Sequence, residues 1–200
     1  MRSTPMKVIL SSLTAVWLGS PALAGIKVVA RTETYSIAGT TSEALIDAMD
    51  RKGPRHGFTT RSVALTSYTV DWKIDVKQNG GDCRITGTTG TLNLTYTFPR
   101  VTSSLDPAFQ QKWDRFLAGV RKHEQEHGRI ARAMVVAASK AAERVTLAAD
   151  PSCAKARREA KRRIDAIYAA YEAKQIAFDD REHRPGGPVE HLVAALTGKR

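Results

Sequence analysis

Phe109, Trp113, Phe116, Val120, His123, His127, Ile130 and Met134 follow one another at alternating spacings of four and three. No strand sustains that period; one stripe of a long helix does. Asp106-Pro107 ahead of it is a cap followed by proline at the first helical position. The helix reads as continuing to about Ala149, where Asp150-Pro151-Ser152 breaks it. Ala154 to about Phe178 then reads as a second helix, with Ile164, Ile167, Tyr168 and Tyr171 on its buried side. A three-residue break between two long helices implies an antiparallel helix hairpin.

Upstream the period is different. Val28 to Ile37 reads as a strand ended by Gly39. Thr40 and Glu43 stand three apart as a capping box for a short helix carrying Leu45, Ile46 and Met49, closed by Gly53-Pro54. Tyr68, Val70, Trp72, Ile74 and Val76 alternate with polar residues, as do Leu92, Leu94, Tyr96 and Phe98. Each run is a half-buried strand, and Asn79-Gly80-Gly81 supplies the turn of an antiparallel pair. The expected fold class is α+β: a small antiparallel sheet with a short helix, packed on the helix hairpin. Trp72 and Trp113 belong to its core. With 42% apolar residues in 200, the chain suffices for one cored domain, read as residues 25–183. Residues 184–200 form a partly flexible tail, rich in Pro and Gly before a short apolar patch from Leu192 to Leu196.

The long helix carries His123-Glu124-Gln125-Glu126-His127, an H-E-x-x-H sequence. Positions i and i+4 lie about 40° apart around a helix, so both imidazoles can approach one ion. Glu124, one step round, stands beside the ion and can take a proton from its water. Zinc lowers the pKa of such a water to about 7, which makes a nucleophile available at neutral pH. With five histidines in the chain, the pattern arises by chance in roughly 0.5% of shuffled sequences of this composition, so coincidence explains it poorly. Two imidazoles buried on an apolar stripe without partners would cost about 1–3 kcal/mol per unsatisfied group, and a metal removes that objection.

Zinc needs a third protein ligand. In an antiparallel partner helix starting near Cys153, the residues opposite His127 fall around 175 and beyond, which excludes Glu143 and Glu159. The candidates are Glu172, Asp179, Asp180, Glu182 and His183, with His191 more remote. His183 heads them, placed just past the second helix where the chain can bend back over the site. Ala133 stands where an H-E-x-x-H-x-x-G-x-x-H site would have its third histidine, so that arrangement is excluded. Tyr168 and Tyr171 can donate to a developing oxyanion, but their spacing fits core packing equally well.

Arg2 and Lys7, the apolar run Val8 to Gly19 and the small-x-small triplet Ala22-Leu23-Ala24 make residues 1–24 a secretory signal. The apolar run is too short for a bilayer, which needs about 20 residues, and no later stretch is long enough for a stable span. Cleavage removes two of the positive charges behind a formal net charge of +11. The basic residues that remain are interspersed with acids along the late helices, the pattern of a solvated face. Attraction to anionic envelope surfaces follows; a nucleic-acid partner does not. Cys83 and Cys153 are the only cysteines, and export favours a disulfide between them.

Several of these residues resemble a known family. Tyr35 through Leu45, Met49, Gly53-Pro54, Thr66 to Trp72, Cys83, the strand ending at Pro99 and Trp113 to Ile130 with its HEQEH are similar to the DUF922 family of predicted secreted zinc-dependent proteases. The resemblance implies exported zinc peptidase activity, with His123, His127 and Glu124 at the matching positions. It also implies a later Tyr-Asp…Thr-x-His-Gly element supplying another ligand, which Phe178 to Arg184 resembles loosely. Residues and resemblance together lead to one expectation: a secreted metallopeptidase with zinc on His123, His127 and His183, Glu124 as base, and a peptide or protein substrate, envelope-associated ones included. The competing expectation is a non-catalytic envelope or binding protein with a structural or vestigial metal. A cell-wall amidase would use the same chemistry as the first.

Overall fold

The Asp106 carboxylate accepts hydrogen bonds from Ala108 N and Phe109 N at 3.1 and 3.0 Å, opening helix α2 (Pro107–Ala142). It thereby satisfies two amides that a helix start leaves orphaned. The computed structural model describes residues 26–56 and 60–198; the expected signal, residues 1–24, lies outside them. Around α2 the described elements are β1 (Ile26–Ile37), α1 (Ser42–Lys52), β2 (Arg55–His56), β3 (Thr60–Arg61), β4 (Leu65–Asn79), β5 (Asp82–Val101), β6 (Thr146–Leu147), α3 (Ala154–His183) and α4 (Pro188–Thr197). The result is a mixed α/β architecture with a small sheet and four helices.

β4 and β5 pair antiparallel across Gly80-Gly81. Both glycines have positive φ, 58° and 92°, the conformation a two-residue hairpin needs. β1 lies on the other edge of β5 and runs parallel to it. The sheet is therefore mixed, not purely antiparallel as expected, because α1 and the β2–β3 pair intervene between β1 and β4. β5 is also longer than expected: Cys83 and Ile85 already point inward, in a Gly- and Thr-rich stretch whose apolar alternation is sparse. α1 begins one residue later than the capping box would have it. Thr41, in extended backbone, caps it by accepting from Ala44 N at 3.3 Å.

The inner face of the sheet meets α2. Leu92, Leu94, Ala131, Met134 and Val135 are almost fully buried at the centre, each large apolar side chain contributing about 1.5–3 kcal/mol. Gly128 lets the helix approach: a Cβ there would run into Tyr96 Oη. At one end Ile37, Leu45, Met49, Trp113, Phe116 and Leu196 form a second cluster. At the other, Cys83 and Cys153 are joined by a disulfide among Ile85, Ala138 and Ala156. Trp72 is half-buried against both neighbouring clusters and donates Nε1–H to Tyr168 Oη at 3.2 Å.

α2 ends at Ala142, short of the expected Ala149, and the connection to α3 is no three-residue break. Thr146–Leu147 adds a short strand beside Cys83-Arg84, and the buried Asp150 accepts from Lys155 N and Ala156 N at 3.2 and 2.8 Å. α3 then packs along α2 in the opposite sense: Arg163 reaches Ala141 O, Gln175 reaches His127, and Asp179 reaches His123. It continues to His183, past the expected end at Phe178. The segment read as a tail carries α4, whose Leu196 is buried in the second cluster. The last turns of α3, the start of β4, α4 and the middle of α2 thus surround one cavity.

Candidate metal centre

The face of α2 that meets the sheet is Glu124, Gly128, Ala131 and Val135, all buried. His123 and His127 lie one step round, towards α3, with side chains only 11% and 14% exposed. Their Nε2 atoms are 3.2 Å apart. Asp179 on α3 places Oδ1 2.9 Å from His127 Nε2 and 3.4 Å from His123 Nε2. In a tetrahedral site with N and O ligands at about 2.0–2.2 Å, neighbouring ligand atoms lie about 3.3 Å apart. The observed triangle has the dimensions of one face of such a tetrahedron.

The neighbouring residues orient the rings. His127 Nδ1 is 2.7 Å from Gln175 Oε1, and Gln175 Nε2 donates to the His127 carbonyl at 3.2 Å. The second bond fixes which end of the amide is oxygen, so Nδ1 carries a proton and Nε2 is the ring nitrogen that faces Asp179. At 2.9 Å that nitrogen either donates a proton to the carboxylate oxygen or shares a metal ion with it. Burial works against a charged His127, but Asp179 and Gln175 outweigh it and raise its pKa. Burial also opposes the charge on Asp179, and hydrogen bonds to the two histidines overcome it, holding the carboxyl well below the usual range. Phe178 is buried, with its ring 4.8 and 5.0 Å from those of His123 and His127. His123 Nδ1 is buried without a hydrogen-bond partner among the described residues. Glu182 Oε2, at 3.9 Å, needs to close by only about 1 Å to accept from it.

Glu124 is 6% exposed. Thr66 on β4 donates its hydroxyl to Glu124 Oε2 at 2.6 Å and sits 3.0 Å from the Glu124 carbonyl. The carboxylate opens onto the same cavity as His123, His127 and Asp179, a space of about 590 Å³. Tyr68, two residues on, also lines it. Burial first, and Glu172 second, raise the pKa of its phenol, so it remains a donor at neutral pH.

The candidate third ligands take different places. His183 is the last residue of α3, not part of a loop folding back. Its ring lies edge-on to His123 with centroids 5.4 Å apart. His123, Asp179 and His183 form a group that could hold a metal ion, their ligand atoms all within 4.8 Å of one another. Glu172 lines the cavity, outside that group. Asp180 is exposed on α3, and His191 lies on α4. Tyr168 and Tyr171 are drawn into packing, one accepting from Trp72 and the other lying under Lys174. Three residues of the site escaped sequence reasoning, Thr66, Tyr68 and Gln175. Thr66 carried a signal: continuing the Tyr68–Val76 alternation backwards puts a polar side chain on an apolar face.

Against known proteins, the family described as bacterial protein of unknown function (DUF922) matches residues 32–187. No curated protein and no solved structure matches the chain.

Proposed function

The chain belongs to the DUF922 family, and from that footing we propose that it is an exported zinc metallopeptidase. One observation carries the reading: Glu124 Oε2 is fixed by Thr66 at 2.6 Å beside a His123–His127–Asp179 triangle 3.2, 3.4 and 2.9 Å on its sides. The donor set of two imidazoles and a carboxylate suits zinc. So does the locked tautomer of His127, and ligation through Nε2 gives the orphaned His123 Nδ1–H a reason to face Glu182. His183 remains as a further donor within reach. A bound zinc ion supplies a Lewis acid that lowers the pKa of water and polarises a carbonyl.

The protein side chains do the rest. Glu124 accepts one proton from the attacking water as its oxygen bonds to the carbonyl carbon of a peptide. The same carboxyl then passes that proton to the leaving nitrogen as the C–N bond breaks, giving a carboxylic acid and an amine. Tyr68, held protonated, donates towards the oxygen that gains charge. Phe178 covers the rings and keeps water off their far side. The Cys83–Cys153 disulfide supports an oxidising compartment, in accord with the expected signal at residues 1–24. Among the described residues no helix is long and apolar enough to cross a membrane.

The decisive variant is Glu124→Gln. It should retain about one zinc per chain while kcat/KM on a peptide substrate falls by about 10²–10⁴. Loss of zinc together with loss of fold, in a wild-type protein that cleaves no peptide, would contradict the proposal. A second reading is favoured by one observation, the proximity of His183 to His123 and Asp179. Four protein ligands would close the site, and a closed zinc site is structural. Removal of His183 separates the two: a structural site loses stability, whereas an open one keeps both metal and fold.

A further inference from the structure

The cavity beside the candidate metal centre is lined by Glu124, His127, Asp179 and Tyr68, and also by the apolar side chains of Phe116, Val120, Ile176, Leu192 and Val193, which we group as its apolar wall. Ile176 stands one turn of α3 from both Glu172 and Asp179, which line the cavity as well. Among the described residues only four large apolar side chains are exposed, and two of them, Ile176 at 53% and Val193 at 37%, stand on this wall. The other two, Val28 and Val29, lie far away on β1.

The wall is built firmly. Gly119 on α2 brings α4 so close that a Cβ there would overlap the Leu192 side chain. Leu196, one turn further along α4, is 1% exposed in the cluster with Trp113 and Phe116. Arg61, the one basic liner besides the histidines, is turned aside, donating Nη1–H to Gly53 O at 2.6 Å. Exposed aliphatic side chains on a rigid wall gain nothing in the free protein; they gain when an apolar group covers them.

Resting on the metallopeptidase reading, we infer that this wall is a specificity subsite taking a bulky aliphatic or aromatic side chain beside the scissile bond. The substrate class is therefore ordinary polypeptide with Leu, Ile, Phe or Met at the cut. Wall-derived peptides, with small or charged side chains, leave Ile176 and Val193 uncovered.

The test uses straight-chain alkyl hydroxamates from acetyl to hexanoyl, titrated by calorimetry into the zinc-loaded full chain. A hydroxamate addresses the metal, and its tail reports on the wall. Affinity should tighten about threefold to fourfold with each added methylene. In the double variant Ile176→Asn/Val193→Asn that gradient should flatten while zinc content and the thermal midpoint hold, since both side chains are exposed. Equal affinity across the series, with acetohydroxamate still binding, would overturn the subsite and leave the metal site standing. Failure of the zinc-loaded protein to bind any member would overturn the metal reading, and the subsite with it.

Discussion

Gln175 is the residue on which most of the site's geometry turns. Its amide oxygen faces His127 Nδ1 at 2.7 Å and its nitrogen binds the His127 carbonyl at 3.2 Å, so one side chain sets both ring orientation and tautomer. Gln175→Leu keeps the volume and removes both bonds. Zinc affinity should fall by about 10–100-fold, the usual effect of losing such a partner, with the fold intact by circular dichroism. An unchanged affinity in competition with a chelator would mean that the ring is oriented by packing against Phe178 instead. The histidine pair and Glu124 were legible in the sequence because their relation is local, a single turn of helix. Gln175, Thr66 and the place of Asp179 were not, since each arrives from an element 48 to 58 residues away in the chain. Hairpin reasoning put the residues opposite His127 near 175, yet it could not say which way each would face.

The elements show where periodicity serves and where it stops. The start of α2 was plain from Asp106-Pro107, and the two alternating runs became β4 and β5. The end of α2 was misplaced because Val145 to Ala149 has helix-like composition. Pairing of Thr146–Leu147 with Cys83-Arg84 outweighs that propensity, as tertiary contacts commonly do. The close approach of α2 to β5 yields a test at this scale. Gly128→Ala would gain about 1 kcal/mol from helix propensity, but a methyl group there collides with Tyr96 Oη and crowds Leu94. Overpacking of this kind costs about 1–3 kcal/mol, so the variant should be less stable in urea. A gain in stability would show that the helix stands further from the sheet.

For the whole molecule, the disulfide and the candidate site sit at opposite ends of the α2–α3 packing. Cys83 and Cys153 are 70 residues apart, and in the chain-entropy model closing such a loop stabilises by about 4 kcal/mol, an upper figure. The Cys83→Ala/Cys153→Ala variant should therefore unfold at clearly lower temperature while still binding one zinc per folded chain. Zinc loss in the folded variant would show that the two ends are coupled. The outline of the molecule was legible in its sequence: a mix of strands and helices, two of the helices long, a small sheet and a bridge between two cysteines. The parallel pairing of β1 and the docking of α4 were not, because neither strand direction nor the partner of a short apolar patch is written in local spacing.

The central claim is that α2 and α3 bring His123, His127 and Asp179 around a single zinc ion. Anomalous difference maps recorded on either side of the zinc edge test it most directly. The account predicts one peak about 2.0–2.2 Å from both Nε2 atoms and from an Asp179 oxygen. Zinc-supplemented crystals with no peak between those three side chains would contradict it.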